Sequence, residues 1–187
     1  MEIKELLDHE KGDIITISDL QTIATYGKTE GLDLEIAKVR KYSETDLFTY
    51  TGYVASDESG QKFMLMIRQV DDEFDLILFY LDQEGEAEDY YDAVINENGD
   101  DFEETFEVEI EGEDVEWIRK SSSIFGVEIE INGTKGKPLT IAEYGTNNDT
   151  NNPFAFLEWS STDEDGWLEI WYGCQIKEHE ISILSVK

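Results

Sequence analysis

Residues 62–80, KFMLMIRQVDDEFDLILFY, carry two apolar runs, Phe63-Met64-Leu65-Met66-Ile67 and Leu76-Ile77-Leu78-Phe79-Tyr80, on either side of Asp71-Asp72-Glu73. Short apolar runs joined by an acidic turn read as a β-hairpin. A second hairpin of the same form, Phe154-Ala155-Phe156-Leu157, Asp163-Glu164-Asp165-Gly166, Trp167-Leu168-Glu169-Ile170-Trp171, aligns with the first at one constant offset and without a gap. Upstream of each pair a glycine precedes strict apolar/acidic alternation, Gly31-Leu32-Asp33-Leu34-Glu35-Ile36 and Gly126-Val127-Glu128-Ile129-Glu130-Ile131. A period of two marks a half-buried strand. Between alternating strand and hairpin, each half has room for a second strand and a loop. These are Ala37 to Val54 with Asp57-Glu58-Ser59-Gly60, and Leu139 to Tyr144 with Asn147 to Pro153.

The expected fold is therefore mainly β, with two pseudo-repeated antiparallel units in sandwich-like or open-barrel sheets and one or two short helices. The first unit is expected over residues 1–83 and the second over 119–187, with an acidic helix-plus-strand insert at 84–118. No Gly/Ser linker separates them, so they are expected to pack as one compact unit. Within the insert, residues 86–95 place apolar side chains at spacings of three and four, which predicts a short helix stopped by Asn96-Glu97-Asn98-Gly99. Phe106-Glu107-Val108-Glu109-Ile110-Glu111 alternates as a strand, and Val115-Glu116-Trp117-Ile118 returns after the turn Gly112-Glu113-Asp114. Near the N-terminus, Ile3, Leu6 and Leu7 suggest a helical turn before a strand at Ile14–Ile17.

The chain of 187 residues has 45 acidic against 14 Lys and Arg side chains, a formal net charge of -31, and no lysine or arginine between Gln69 and Ile118. Self-repulsion of that size destabilises a compact state while keeping it soluble. Nine phenylalanines, nine tyrosines and four tryptophans supply the apolar surface that a disordered acidic tail lacks. Nucleic acids and anionic membranes require a basic footprint, so neither is expected as a direct partner. The acidity has three readings: a solvated surface, adaptation to salt, or a match to a basic partner. The single Cys174 excludes an intramolecular disulfide framework. The interrupted N-terminal sequence fits neither a signal peptide nor a spanning helix, which makes a cytoplasmic location the expectation. Asn132-Gly133-Thr134 and Asn148-Asp149-Thr150 match the glycosylation pattern and read as turns.

Familiar chemistries are absent. His9 and His179 each precede a glutamate, but Asp13 and Ile183 stand where a zincin requires its second histidine. One cysteine and two distant histidines fall short of a structural zinc site, and Cys174 reads as a buried, inert thiol. Asn132 to Pro138 imitates a phosphate loop, but Ile131 replaces its first glycine and Pro138 its magnesium-holding hydroxyl, so a hairpin turn explains it. The loop Asp163-Glu164-Asp165-Gly166 departs from an EF-hand at Ser161 and Tyr172. No catalytic residue, metal site or cofactor is expected.

Trp159, Trp167 and Trp171 gather in the C-terminal hairpin, where alternation puts Trp167, Glu169 and Trp171 on one strand face. Aromatic packing is the plain reading, and a stacking platform for a sugar or other small ligand the sharper one. Phe156-Leu157-Glu158-Trp159 followed by Asp165-Gly166-Trp167-Leu168-Glu169 resembles the signature of an uncharacterised prokaryotic family of small β-domains, often in tandem. The resemblance spans at most the C-terminal half, implies a β fold and supplies no activity.

The function expected from the sequence is a non-catalytic interaction module. Its carboxylates Glu103, Glu104, Glu107, Glu109, Glu111, Glu113 and Asp114 would engage a basic protein, in the most pointed version by mimicking nucleic acid. The alternative is a ligand-binding domain using Trp167, Glu169 and Trp171.

Overall fold

The computed structural model describes residues 3–18, 32–44, 47–70, 73–90, 93–96, 98–110, 113–146, 153–160 and 166–185. Thirteen strands form an antiparallel sheet. They are β1 (Ile14–Ile17), β2 (Leu32–Glu44), β3 (Phe48–Ser56), β4 (Lys62–Val70), β5 (Glu73–Glu86), β6 (Thr105–Ile110), β7 (Glu113–Arg119), β8 (Ile124–Ile131), β9 (Thr134–Lys135), β10 (Leu139–Gly145), β11 (Pro153–Ser160), β12 (Trp167–Gln175) and β13 (Ile181–Leu184). Three 3-10 segments, Ile3–Asp8, Ala87–Tyr90 and Glu178–Glu180, complete the described secondary structure. None of the described helices is long and apolar enough to cross a membrane.

The chain divides into two compact units interleaved in sequence. The first comprises Met1–Tyr80, Glu128–Gly136 and Cys174–Lys187, and the second Leu81–Val127 and Lys137–Gly173. These limits differ from breaks at 83/84 and 118/119 for two reasons. The hairpin β6–β7 is hydrogen-bonded into the second unit through Tyr144↔Arg119 and Gly145↔Ile118. The C-terminal strand β13 returns to the first unit, pairing antiparallel with β1 from Ile17↔Ile181 to Ile14↔Leu184.

In the first unit the strands run β13-β1-β2-β3-β4-β5. The hairpin β4–β5 pairs from Phe63↔Tyr80 to Val70↔Glu73, and Asp71 and Asp72 lie outside the described residues. Strand β2 does not stop at Ile36. A register shift between Ile36 and Lys38 lets it continue to Glu44, where it pairs both β3 and the C-terminal half of β8. The core gathers Leu6, Ile15, Ile17, Leu34, Ile36, Tyr53 and their neighbours, all nearly inaccessible. The Tyr53 hydroxyl donates to the Leu6 carbonyl and accepts from the His9 amide at 3.4 Å. Asp13, buried, accepts from His9 Nδ1 at 2.9 Å, from the Glu10 amide at 3.2 Å and from Ser185 Oγ at 3.3 Å, which ties the N-terminal turn to the end of β13.

The turn between β8 and β9 uses Asn132 at φ 48° and Gly133 at φ 77°. Two consecutive positive φ values are the geometry of a tight hairpin turn, so the segment imitating a phosphate loop is a hairpin.

In the second unit the order is β12-β11-β10-β7-β6, with the N-terminal half of β8 on β10. Starts Phe48 of β3 and Leu139 of β10 are separated by the same offset as Lys62 of β4 and Pro153 of β11. Of the helix expected over 86–95, the described residues show the 3-10 turn Ala87–Tyr90; Val94 is buried in a turn and Ile95 is buried where it bridges Phe102, and residues 91 and 92 lie outside the described residues. The turn at 161–165 and the loop at 147–152 lie outside the described residues.

Candidate partner-binding surface

Hairpin β6–β7 sorts its side chains by alternation. Its register sets Phe106 against Trp117, Glu107 against Glu116, Val108 against Val115, Glu109 against Asp114 and Ile110 against Glu113. Phe106 and Trp117 are buried and stacked, with ring centroids 6.3 Å apart and planes at 15°. Phe106 meets the Tyr144 ring edge at 4.8 Å, and Trp117 packs on Tyr172 at 5.0 Å. Aromatic burial of this kind fixes which face of a hairpin turns inward. The intervening Glu107 and Glu116 are consequently exposed, opposite one another, and neither pairs with a cation among the described residues.

The remaining acids of the expected set are placed unevenly. Glu104 is exposed. Glu103 is half-buried, its amide donating to the Val94 carbonyl at 3.0 Å and its carbonyl accepting from the Tyr144 hydroxyl. Glu109, Glu113 and Asp114 join the ladder through their backbones; their side chains, and all of Glu111, lie outside the described residues. Glu116, the acid that closes the expected carboxylate face from Asp100 onward, belongs with the set. The expected turn Gly112-Glu113-Asp114 would have set Glu107 opposite Arg119; because Glu113 and Asp114 instead belong to β7, the observed register sets Glu107 opposite Glu116.

Arg119 is the first cation after the acidic stretch, yet it does not neutralise this face. Its Nη1 donates to Asp101 Oδ1 at 3.2 Å, to the Phe102 carbonyl at 2.8 Å and to Ser123 Oγ at 2.9 Å. Arg68, the last cation before the stretch, is similarly occupied by Asp75 at 2.9 Å. Burial drives the Tyr144 hydroxyl well above the usual phenol range, with Asp101 and Glu103 adding to the shift and Arg119 opposing it. Strand β6 ends the strand order of its unit, so its outer edge has no strand partner among the described residues.

The tryptophan face is arranged differently. Trp167 is 46% exposed, whereas Trp171 is fully enclosed, its indole N–H donating to Glu169 Oε2 at 3.0 Å. Of these two rings on one strand face, a single one is accessible. Among the described residues, no three His, Cys, Asp or Glu side chains are arranged to hold a metal ion. Cys174 is buried and forms no disulfide among the described residues.

No family model, curated protein or solved structure matches the chain.

Proposed function

We propose that the protein is a non-catalytic interaction module whose β6–β7 hairpin engages a basic surface on another protein. The observation that carries this reading is the exposed pair Glu107–Glu116, without a cation partner among the described residues and held outward by the buried Phe106–Trp117 stack. Like charges directly opposite one another destabilise a ladder. A basic partner would relieve that repulsion on binding, and complementary charge would accelerate and specify the encounter. Carboxylates spaced along a rigid strand would also imitate the regular anions of a nucleic-acid backbone, so a protein with a nucleic-acid groove is the sharpest candidate partner. The meanders β2-β3-β4-β5 and β8-β10-β11-β12 are read, within the same proposal, as two copies of one unit.

The test is affinity capture of a basic protein at low ionic strength, followed by salt elution and by repetition with a Glu107→Lys/Glu116→Lys double variant. Support requires a basic partner that is released by salt and not retained by the double variant. No basic partner at low ionic strength, or equal capture by the variant, defeats the proposal.

A further inference from the structure

In the first unit a cleft of about 490 Å³ opens beside the 3-10 turn Glu178–Glu180. Its origin is a mismatch in strand length. The Ile176 amide donates to the Leu76 carbonyl at 3.0 Å; past this bond the chain leaves the sheet, while β5 extends back through Phe74 to Glu73. The turn is held in place by the Lys177 amide donating to Glu180 Oε2 at 2.7 Å and by the Ser18 amide donating to the Glu180 carbonyl at 2.9 Å. Phe74, Leu76 and Ile176 supply apolar lining, and Lys177 and His179 stand exposed at the rim.

The charge inventory there departs from that of the chain as a whole. Asp75 is occupied at both oxygens, by Arg68 at 2.9 Å and by Gln175 Nε2 at 3.2 Å. The Glu180 carboxylate is occupied by the Lys177 amide. Glu178 is the one carboxylate in the cleft lining. The Lys177 ammonium and the His179 ring pair with no described residue, so one cation and one ring N–H donor stand at the rim beside Glu178, a local balance far less acidic than that of the chain. With a net charge of -31, an anion is repelled by the field of the chain and needs local cations to be held. Ligand sites of this size combine apolar walls with a few placed polar groups.

We propose that this cleft binds a small amphiphilic monocarboxylate, its aryl or branched alkyl body against Phe74, Leu76 and Ile176 and its carboxylate toward Lys177 and His179. The site lies in the other unit from hairpin β6–β7 and stands or falls independently of the partner proposed there.

The experiment titrates the full chain with 4-phenylbutyrate, its neutral amide and 4-phenylbutylamine, followed by amide NMR shifts and calorimetry. Expected are one saturable site for the carboxylate, with shifts at 74–76 and 175–179, and binding of amide and amine weaker by about fivefold, the upper worth of one solvent-exposed ion pair. Lys177→Gln, an exposed change, should weaken the carboxylate by about the same factor, and Phe74→Ala should weaken carboxylate and amide alike. Absence of saturable carboxylate binding, amine binding as tight as carboxylate, or Lys177→Gln binding unchanged would overturn the proposal.

Discussion

Glu107 and Glu116 face each other across the β6–β7 ladder, one residue away from the buried stack of Phe106 on Trp117. The core chemistry that seats the aromatic rings thus fixes two carboxylates in mutual repulsion on the outer face.

Converting one member of that pair to a cation should have opposite effects on folding and on association. Glu116→Lys is expected to raise stability by about 0.2–1 kcal/mol, the usual worth of exchanging a like-charge cross-strand pair for an opposite one. Urea melts would show a higher midpoint with an unchanged slope. Capture of a basic partner should fall at the same time. A variant losing both stability and capture would place Glu116 in a structural role instead.

Arg119 holds Asp101, the Phe102 carbonyl and Ser123 with one nitrogen. Arg119→Met should destabilise the chain by about 2–3 kcal/mol, because hydrogen bonds to a charged group are lost and their partners are left half-buried. Arg119→Lys keeps the charge without the planar fork and should recover only part of the loss. Full recovery by lysine would show that charge alone matters.

Alkaline pH should unfold the protein in a defined window. Burial pushes the Tyr53 hydroxyl up to about 12, aided by the charges of Asp8 and Asp13 and opposed by the His9 amide bond. A folded pKa above the unfolded value near 10 means that the stabilisation is complete below about pH 10 and is lost as pH rises through about 12. Tyr144 shifts in the same direction and extends the window upward. Phenolate absorbance should therefore rise together with loss of near-ultraviolet dichroism. Ionisation of all nine tyrosines near pH 10 without unfolding would contradict these placements.

Gly133→Ala should cost about 1–2 kcal/mol, since φ of 77° at this turn position is disfavoured for any residue with a β-carbon. No atom within 4 Å would obstruct the new methyl group, so the cost isolates backbone conformation from packing. A neutral result would mean that the turn can relax.

Strands with a local signature were legible in the sequence. Apolar runs around an acidic turn announced β4–β5, and clean alternation announced β6 with Glu107 on its exposed face. Three features were not legible, each for a physical reason. Apolar spacing at 86–95 imitated a helix because Val94 and Ile95 are buried from a turn and from the single bridge Ile95–Phe102 that follows it. The pairing of β13 with β1 joins opposite ends of the chain and leaves no local pattern. The accessibility of Trp171 could not be read from alternation, which assigns a face without saying what covers it; here the ring is enclosed and its N–H bound by Glu169.

An outermost strand leaves half of its peptide groups ready to recruit a further chain, the step from which fibrils grow. On β6 the exposed Glu107 stands beside that edge in a chain of net charge -31, so the approach of a second copy is opposed electrostatically. Screening by salt would weaken this safeguard while leaving the aromatic packing beneath in place, so the protein should associate more readily at high ionic strength with its secondary structure intact.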